Sequence, residues 1–447
     1  MHELLAQLAL VSTLLDNWDG IELRLPARSD ALTARLATIA QSMAGARSPD
    51  EIALALDDLL DLVLDTPAES FVRTLMERAA PGRDDARVRS QVATLDAAGV
   101  ASANDATRAG SEALARTVSR KPDHRVVPVF FATNRSIPDA AISGVDAYSG
   151  NLAEHTSFGL AHVTIPVEHR RGRVETPRWW APWSDDERSD RHVIVRSLER
   201  LEPHEFATRL EGAASAQALD VLVFVHGYNV TFEQAARRAA QIAFDSGFDG
   251  IVVLFSWASA GRTFAYAADE ERAITSAEPL ARLLAMLADG PWDDVHLLAH
   301  SMGNRVLTLA LADHRPPTFE PGEAVFVAAD VYVPLFRQKL PRLREMAGGR
   351  MTLYASRGDL ALRLSSLLHA AERIGHIRAG GPFVAEGIET IDASSVDTSL
   401  VGHSYFSDHP QLLDDLSTLL GARTRANLRT GVRDAGGYWS LDVDGRS

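Results

Sequence analysis

Ser301 is the residue in this chain best placed to do chemistry. It stands in Val295-His296-Leu297-Leu298-Ala299-His300-Ser301-Met302-Gly303-Asn304-Arg305, after an apolar run of strand type and before a helical run, Val306 to Ala312. A serine flanked two residues away by Ala299 and Gly303 fits a tight strand-to-helix turn that lifts Oγ clear of the sheet. The helix that follows aims its N-terminus at whatever reacts there. A hydroxyl at that point is an acyl-transfer nucleophile once an imidazole accepts its proton. Upstream, Leu219-Asp220-Val221-Leu222-Val223-Phe224-Val225 runs into His226-Gly227-Tyr228-Asn229. A loop after such a strand supplies one N–H for an oxyanion, and the residue after the nucleophile supplies the other. Those donors are Tyr228 and Met302.

The base and the acid come later in the chain. His403, in Gly402-His403-Ser404-Tyr405, lies between the last expected strand of the alternating region and its last helix. An imidazole there can take the Ser301 proton and return it to the leaving group. Among its competitors, His300 adjoins the nucleophile as a supporting neighbour, His376 lies in an Arg/Gly-rich loop, and His409 follows an expected helix cap. Two carboxylates could orient the imidazole. Asp359 follows the strand after next beyond the nucleophile, and Asp330 follows the next strand. Strand position favours Asp359, with Asp330 as the alternative and Asp397 outside both. Trp257 and Gly227 are candidate pocket residues, although a tryptophan closing the top of the core explains Trp257 equally well. Arg135 could pair with a carboxylate on the substrate or inside the protein, and an internal partner is the expectation. Tyr266 and Asp269 lie near the cleft without an assigned role.

The elements that must hold these residues alternate. Strands are expected at 126–132, 159–166, 193–197, 219–226, 250–257, 294–300, 324–330, 351–356 and 388–393. Helices are expected at 231–246, 270–288, 302–313, 334–345, 360–371 and 408–420. Such alternation indicates a mostly parallel sheet covered on both faces, with reactive loops at the carboxyl ends of its strands. Residues 173–191, with Trp179, Trp180 and Trp183, read as an irregular insertion over the core or site. Before this region, residues 1–100 carry helical stripes such as Leu4, Leu8, Val11, Leu15 and Trp18. Ser48-Pro49-Asp50-Glu51 is a capping box. A small helical bundle is expected there, a candidate module for a protein partner. Residues 101–123 read as a linker, 124–421 as the domain with the reactive serine, and 422–447 as a tail in which Tyr438 to Leu441 could add a short strand.

Composition narrows the function classes. The chain has 447 residues, a formal net charge of −15 and no cysteine. Without cysteine there is no disulfide framework, thiolate zinc site or cysteine nucleophile. The acidic balance argues against a dedicated nucleic-acid or anionic-membrane surface. Lysine occurs only at Lys121 and Lys339, so lysine chemistry has little support. No apolar run approaches the ~20 residues of a membrane span, and the N-terminus lacks the pattern of a signal peptide. A cytoplasmic, bacterial-type protein is expected. There is no His-Glu-x-x-His motif, P-loop or dinucleotide fingerprint, and the expected mechanism requires neither a metal nor an organic cofactor.

Several motifs in order carry a family resemblance. They are Val129 to Arg135, His226-Gly227-Tyr228-Asn229, Phe255-Ser256-Trp257-Ala258-Ser259-Ala260-Gly261, Ala299 to Arg305, Thr352 to Asp359 with Ala361-Leu362, and Gly402-His403-Ser404-Tyr405. From about His124 to about Leu420 the chain resembles the alpha/beta hydrolase family of unknown function DUF900, in the esterase/lipase superfamily. It departs from the family at Ala258, where a Pro is frequent, and in Ala328-Ala329-Asp330, where a Pro often precedes the Asp. The resemblance implies the α/β-hydrolase fold and a hydrolytic reaction class but no particular substrate. The expected function is cleavage of a carboxylic ester or other acyl substrate by Ser301, His403 and Asp359. Thioester, amide or peptide cleavage would use the same parts, and the triad can also support a cofactor-free haloperoxidase-like activity. The alternative is a catalytically silent scaffold that assembles through residues 1–100.

Overall fold

The run Val221-Leu222-Val223-Phe224-Val225 is buried along its whole length. Successive side chains of a strand point to opposite faces. Accordingly Val221, Val223 and Val225 enter one apolar cluster, and Leu222 and Phe224 enter another. A strand with two dry faces belongs in the middle of a sheet covered on both sides.

The computed structural model of the chain describes residues 124–138, 144–175, 189–214, 219–260, 266–345, 349–357, 372–378, 380–396 and 409–442. They all belong to one compact unit, His124–Thr176 with Glu187–Ser447. The expected N-terminal bundle, the linker, Trp179, Trp180, Trp183 and the helix at 360–371 lie outside the described residues. Among the described residues, no helix is long and apolar enough to cross a membrane.

The strands are β1 (His124–Arg135), β2 (Leu152–Pro166), β3 (Ile194–Leu201), β4 (Val221–Val225), β5 (Ile251–Ser256), β6 (Val295–His300), β7 (Glu323–Val327), β8 (Arg350–Ala355), β9 (Ile388–Asp392), β10 (Val432–Asp434) and β11 (Trp439–Leu441). The helices are α1 (Pro203–Ala214), α2 (Phe232–Ser246), α3 (Tyr266–Thr275), α4 (Ala277–Leu287), α5 (Gly303–Asp313), α6 (Val333–Arg344) and α7 (Pro410–Ala422). One sheet has the order β10-β11-β9-β8-β7-β6-β4-β5-β1-β2-β3. From β11 through β9, β8, β7, β6, β4 and β5 to β1 the neighbours run parallel. The β1–β2, β2–β3 and β10–β11 pairs are antiparallel. Side chains of α1, α4, α5 and α6 pack on one face, and those of α2 and α7 on the other.

Three details differ from the sequence reading. The single helix expected at 270–288 is two, α3 and α4. Ser276 between them donates its hydroxyl to Arg272 O at 2.6 Å, and Pro279 has no N–H to offer the Thr275 carbonyl. Helix α1 was not expected, although Phe206, Leu210 and Ala214 form its buried stripe at four-residue spacing. Residues 432–441 add two strands to the sheet edge, through pairing of Trp439 and Ser440 with Ile391 and Asp392.

The chain order reverses at β4. From β4 it moves to β5 on one side, and then β6 is laid on the other. A crevice outside the carboxyl ends of the strands at such a reversal is where open α/β sheets bind ligands. His226-Gly227 leaves β4 there, and Ser301 leaves β6 beside it.

Candidate active site

Ser301 joins β6 to α5 with φ +52°, in the left-handed region that a residue with a side chain rarely adopts. Such strain persists only where surrounding contacts over-determine it. Here they do. Ser301 N–H donates to Val327 O at 3.0 Å, and Ser301 O accepts from Asn304 N at 3.1 Å and Asp330 N at 3.2 Å. The Asn304 amide nitrogen donates to Ser301 O at 3.0 Å and to Val327 O at 2.9 Å. The turn is tight because α5 lies directly against the end of β4. A Cβ on Gly303 would sit 2.3 Å from His226 O and 2.7 Å from Val225 O. The glycine two residues after Ser301 is therefore a packing requirement.

The loop after β4 closes on the same serine. A Cβ on Gly227 would lie 2.8 Å from Ser301 Cβ and 2.8 Å from His300 Nδ1. Asn229 turns this loop at φ +57°, a conformation asparagine tolerates better than most residues. Met302, wholly buried, caps α5. Its N–H belongs to the helix's first turn, where backbone donors have no intrahelical acceptor.

Behind the loop is a fully buried arrangement of His226, Arg135, Ser256 and Trp257. His226 Nδ1 lies 2.8 Å from Gly227 O, so Nδ1 carries the proton. Nε2 is then an acceptor, 3.3 Å from Arg135 Nη2 and 3.3 Å from Ser256 Oγ. Burial, and then the Arg135 charge, pull the His226 pKa down to about 3, so the ring stays neutral. Trp257 stacks on His226 at 5.3 Å and 11°, and its Nε1 donates to His226 O at 2.7 Å.

The arginine at the end of β1 does not pair as expected. Its hydrogen-bond acceptors are Ser256 Oγ, the carbonyls of Ser149, Ser259 and Val230, and the His226 ring, with no carboxylate among them. Burial lowers its pKa to about 9, opposed by the charge of Asp269 and assisted by that of Arg272. Asp269 itself accepts from Ser259 Oγ at 2.7 Å and Ala260 N at 2.9 Å, and it pairs with Arg272 at 3.1 Å. It thus braces the turn after β5.

Of the residues expected from sequence, Ser301, Met302, Gly227 and Tyr228 meet at the carboxyl ends of β4 and β6. Trp257 is wholly buried beneath them, within the core cluster. Asp330 adjoins the elbow through its backbone, and its carboxylate accepts from Arg373 Nε at 3.0 Å. It lies three residues beyond β7, because Ala328 at φ +47° ends that strand sooner than expected. His403, Asp359 and Asp397 lie outside the described residues.

Sequence reasoning missed Arg373, which the bonds Ile374 N to Val331 O and Gly375 N to Ala329 O set beside Asp330. No local pattern marks it. It also missed what Arg135 and Asn304 hold, although both stand inside motifs that were quoted.

Residues 202–423 match the family model described as "Alpha/beta hydrolase of unknown function (DUF900)". Among solved structures, one titled "Structure of arylesterase" is 11% identical, over 76% of this chain and 99% of that one, with a TM-score of 0.27. Another, carboxyl esterase 2 from the mycorrhizal fungus Tuber melanosporum, is 13% identical over 69% and 84% of the two chains, with a TM-score of 0.22. No curated protein matches the chain. The matched segment holds the serine elbow and the parallel strands β4 to β9, and over it the chain is similar to the alpha/beta hydrolase family of unknown function DUF900.

Proposed function

We propose that the chain is a serine hydrolase that cleaves a carboxylic ester through an acyl-enzyme intermediate. The observation that carries this reading is Ser301, strained at φ +52° at the sheet's topological reversal, with Gly227 against its Cβ. Ser301 Oγ attacks the ester carbon as its proton passes to His403. The carbonyl electron pair moves onto oxygen, where the N–H groups of Met302 and Tyr228 receive it. Collapse breaks the bond to the alkoxy group, which leaves with the proton from His403. Water, deprotonated by His403, then releases the acid and frees Ser301.

Asp359 orients the imidazole and stabilises its charged form. Asp330 is a weaker candidate because its carboxylate already answers a buried arginine, Arg373.

A fluorophosphonate probe tests the reading. The wild-type chain is expected to be labelled, and Ser301→Ala and His403→Ala are not. Asp359→Asn should slow labelling far more than Asp330→Asn. Folded wild-type protein that resists the probe, or labelling that survives Ser301→Ala, would overturn the assignment and favour a silent scaffold.

A further inference from the structure

A guanidinium has five N–H donors in a rigid fork. At Arg135 all five are used. Nε donates to Ser256 Oγ at 2.9 Å, and Nη1 donates to Ser149 O at 3.3 Å and Ser259 O at 2.9 Å. Nη2 donates to Val230 O at 2.7 Å and to His226 Nε2 at 3.3 Å. The last two acceptors bracket the segment 226–230, and Tyr228 is its midpoint. The same segment is tied from the β5 side, where Val230 N donates to Ser259 Oγ at 3.2 Å. At its other end Trp257 Nε1 holds His226 O. One side chain, rooted in β1, therefore fixes both ends of the loop that passes over Ser301. A purely stabilising cation would meet a carboxylate; this one meets three carbonyls, a hydroxyl and a neutral imidazole, each of which it places in space.

We propose that Arg135 is the positioning residue of the oxyanion loop: by clamping His226 and Val230 it sets the Tyr228 N–H where charge develops on the substrate carbonyl. This rests on the reading of Ser301 as nucleophile and Tyr228 as an oxyanion donor. Lysine keeps the charge but offers three donors from one atom in place of a fork. Arg135→Lys therefore releases at least one end of the loop.

The test uses the full chain with p-nitrophenyl butyrate, and competent sites are counted with the fluorophosphonate. In Arg135→Lys, kcat per counted site should fall roughly 10- to 100-fold, as for a small misplacement of a reacting group. KM should stay close to that of the wild type. Affinity for a trifluoromethyl ketone, whose adduct carries the oxyanion, should fall by a similar factor. A structural role alone would lower the number of sites and leave the rate per site unchanged, and that result overturns the proposal. Should Arg135→Lys not fold, Ser256→Ala removes one acceptor of the clamp and should give a smaller fall in kcat per site; an unchanged rate overturns it. If wild-type turnover survives Ser301→Ala, the nucleophile reading fails by itself. The clamp is then judged from His226 ¹⁵N shifts, identified by their loss in His226→Gln. A change in the Nδ1–H signature in Arg135→Lys supports the clamp, and an unchanged signature overturns it.

Discussion

Two buried regions of this sheet treat charge in opposite ways. At the carboxyl ends of β1, β4 and β5, the Arg135 guanidinium meets only neutral acceptors. Between α7, β8 and the segment before β10, Arg429 donates to Asp415 Oδ2 at 3.0 Å and to Tyr354 Oη at 3.0 Å, with Tyr354 donating to the same carboxylate oxygen. The second arrangement pairs opposite charges and anchors residues 423–429 to the sheet. The first spreads one cation over three loops. A buried ion pair resists being broken, whereas a fork of directed bonds fixes backbone positions. One region should therefore govern stability, and the other should govern the rate at Ser301.

The most forceful way to break this comparison is Asp415→Ala. It leaves the buried Arg429 guanidinium only the longer pair with Glu389 at 3.6 Å, and removing one partner of a buried pair costs about 3–5 kcal/mol. Urea unfolding should register that loss, while fluorophosphonate labelling per folded molecule keeps the wild-type rate. A labelling rate that fell with stability would mean the two regions are not separable.

Two histidines sharpen the contrast through pH. His226 is neutral in the folded chain with its pKa lowered to about 3. An unfolded histidine titrates near 6.5, so between about pH 6.5 and 3 the unfolded chain binds the extra proton, and stability is lost as pH falls. His169 is the reverse. Burial lowers its pKa, but hydrogen bonds and charges from Asp245 at 2.9 Å and Glu175 at 2.7 Å outweigh this and raise it to about 9. Its contribution is complete below about pH 6.5 and is lost as pH rises towards 9. At about 1.4 kcal/mol per pKa unit the acid limb should amount to about 5 kcal/mol, and the alkaline limb, screened by solvent around His169, to less than about 3 kcal/mol. Comparing pH–stability curves of the wild type and His169→Gln should remove the alkaline limb alone, with labelling at neutral pH unaffected.

Gly303→Ala is the smaller steric test, and it acts on both quantities. The added methyl meets His226 O, just beyond β4, at 2.3 Å and Val225 O, the last of β4, at 2.7 Å, so α5 must move. Overpacking of this kind costs about 1–3 kcal/mol. Because α5 carries Met302 and Ser301 with it, labelling should slow far more than the stability loss implies.

How much of this was legible in the sequence depends on how local the cause is. Val221–Val225 and Ile251–Ser256 announce themselves because both faces of each are buried, so the apolar run is unbroken. The Ser301 elbow is legible for a related reason: a close approach between α5 and β4 leaves Gly303 as its trace. The α3–α4 break could have been inferred from Ser276 and Pro279. The roles of Arg135 and Arg373 could not. Arg135 reaches its acceptors across 14 to 124 residues of chain, and its type suggested a carboxylate partner. Arg373 meets Asp330 only because residues 373–377 lace onto 329–332 and Ser356.

Tyr354→Phe is the mildest probe and the most selective. The hydroxyl donates to Asp415 Oδ2 and accepts from Arg429, so its removal takes two bonds from the network. The direct Arg429–Asp415 pair at 3.0 Å stays in place, and no charge is left alone. The expected cost is therefore about 1–2 kcal/mol, the scale of a buried hydrogen bond to a charged group rather than that of a broken ion pair. Burial holds the Tyr354 phenol well above its ordinary pKa, with the Asp415 charge adding to the effect, so the hydroxyl remains a donor at neutral pH. Thermal or urea unfolding of Tyr354→Phe, set beside Asp415→Ala, measures how much of the anchor is the pair and how much is the hydroxyl. If Tyr354→Phe costs as much as Asp415→Ala, the tyrosine is an obligatory third member and the margin is held by a triad instead of a pair.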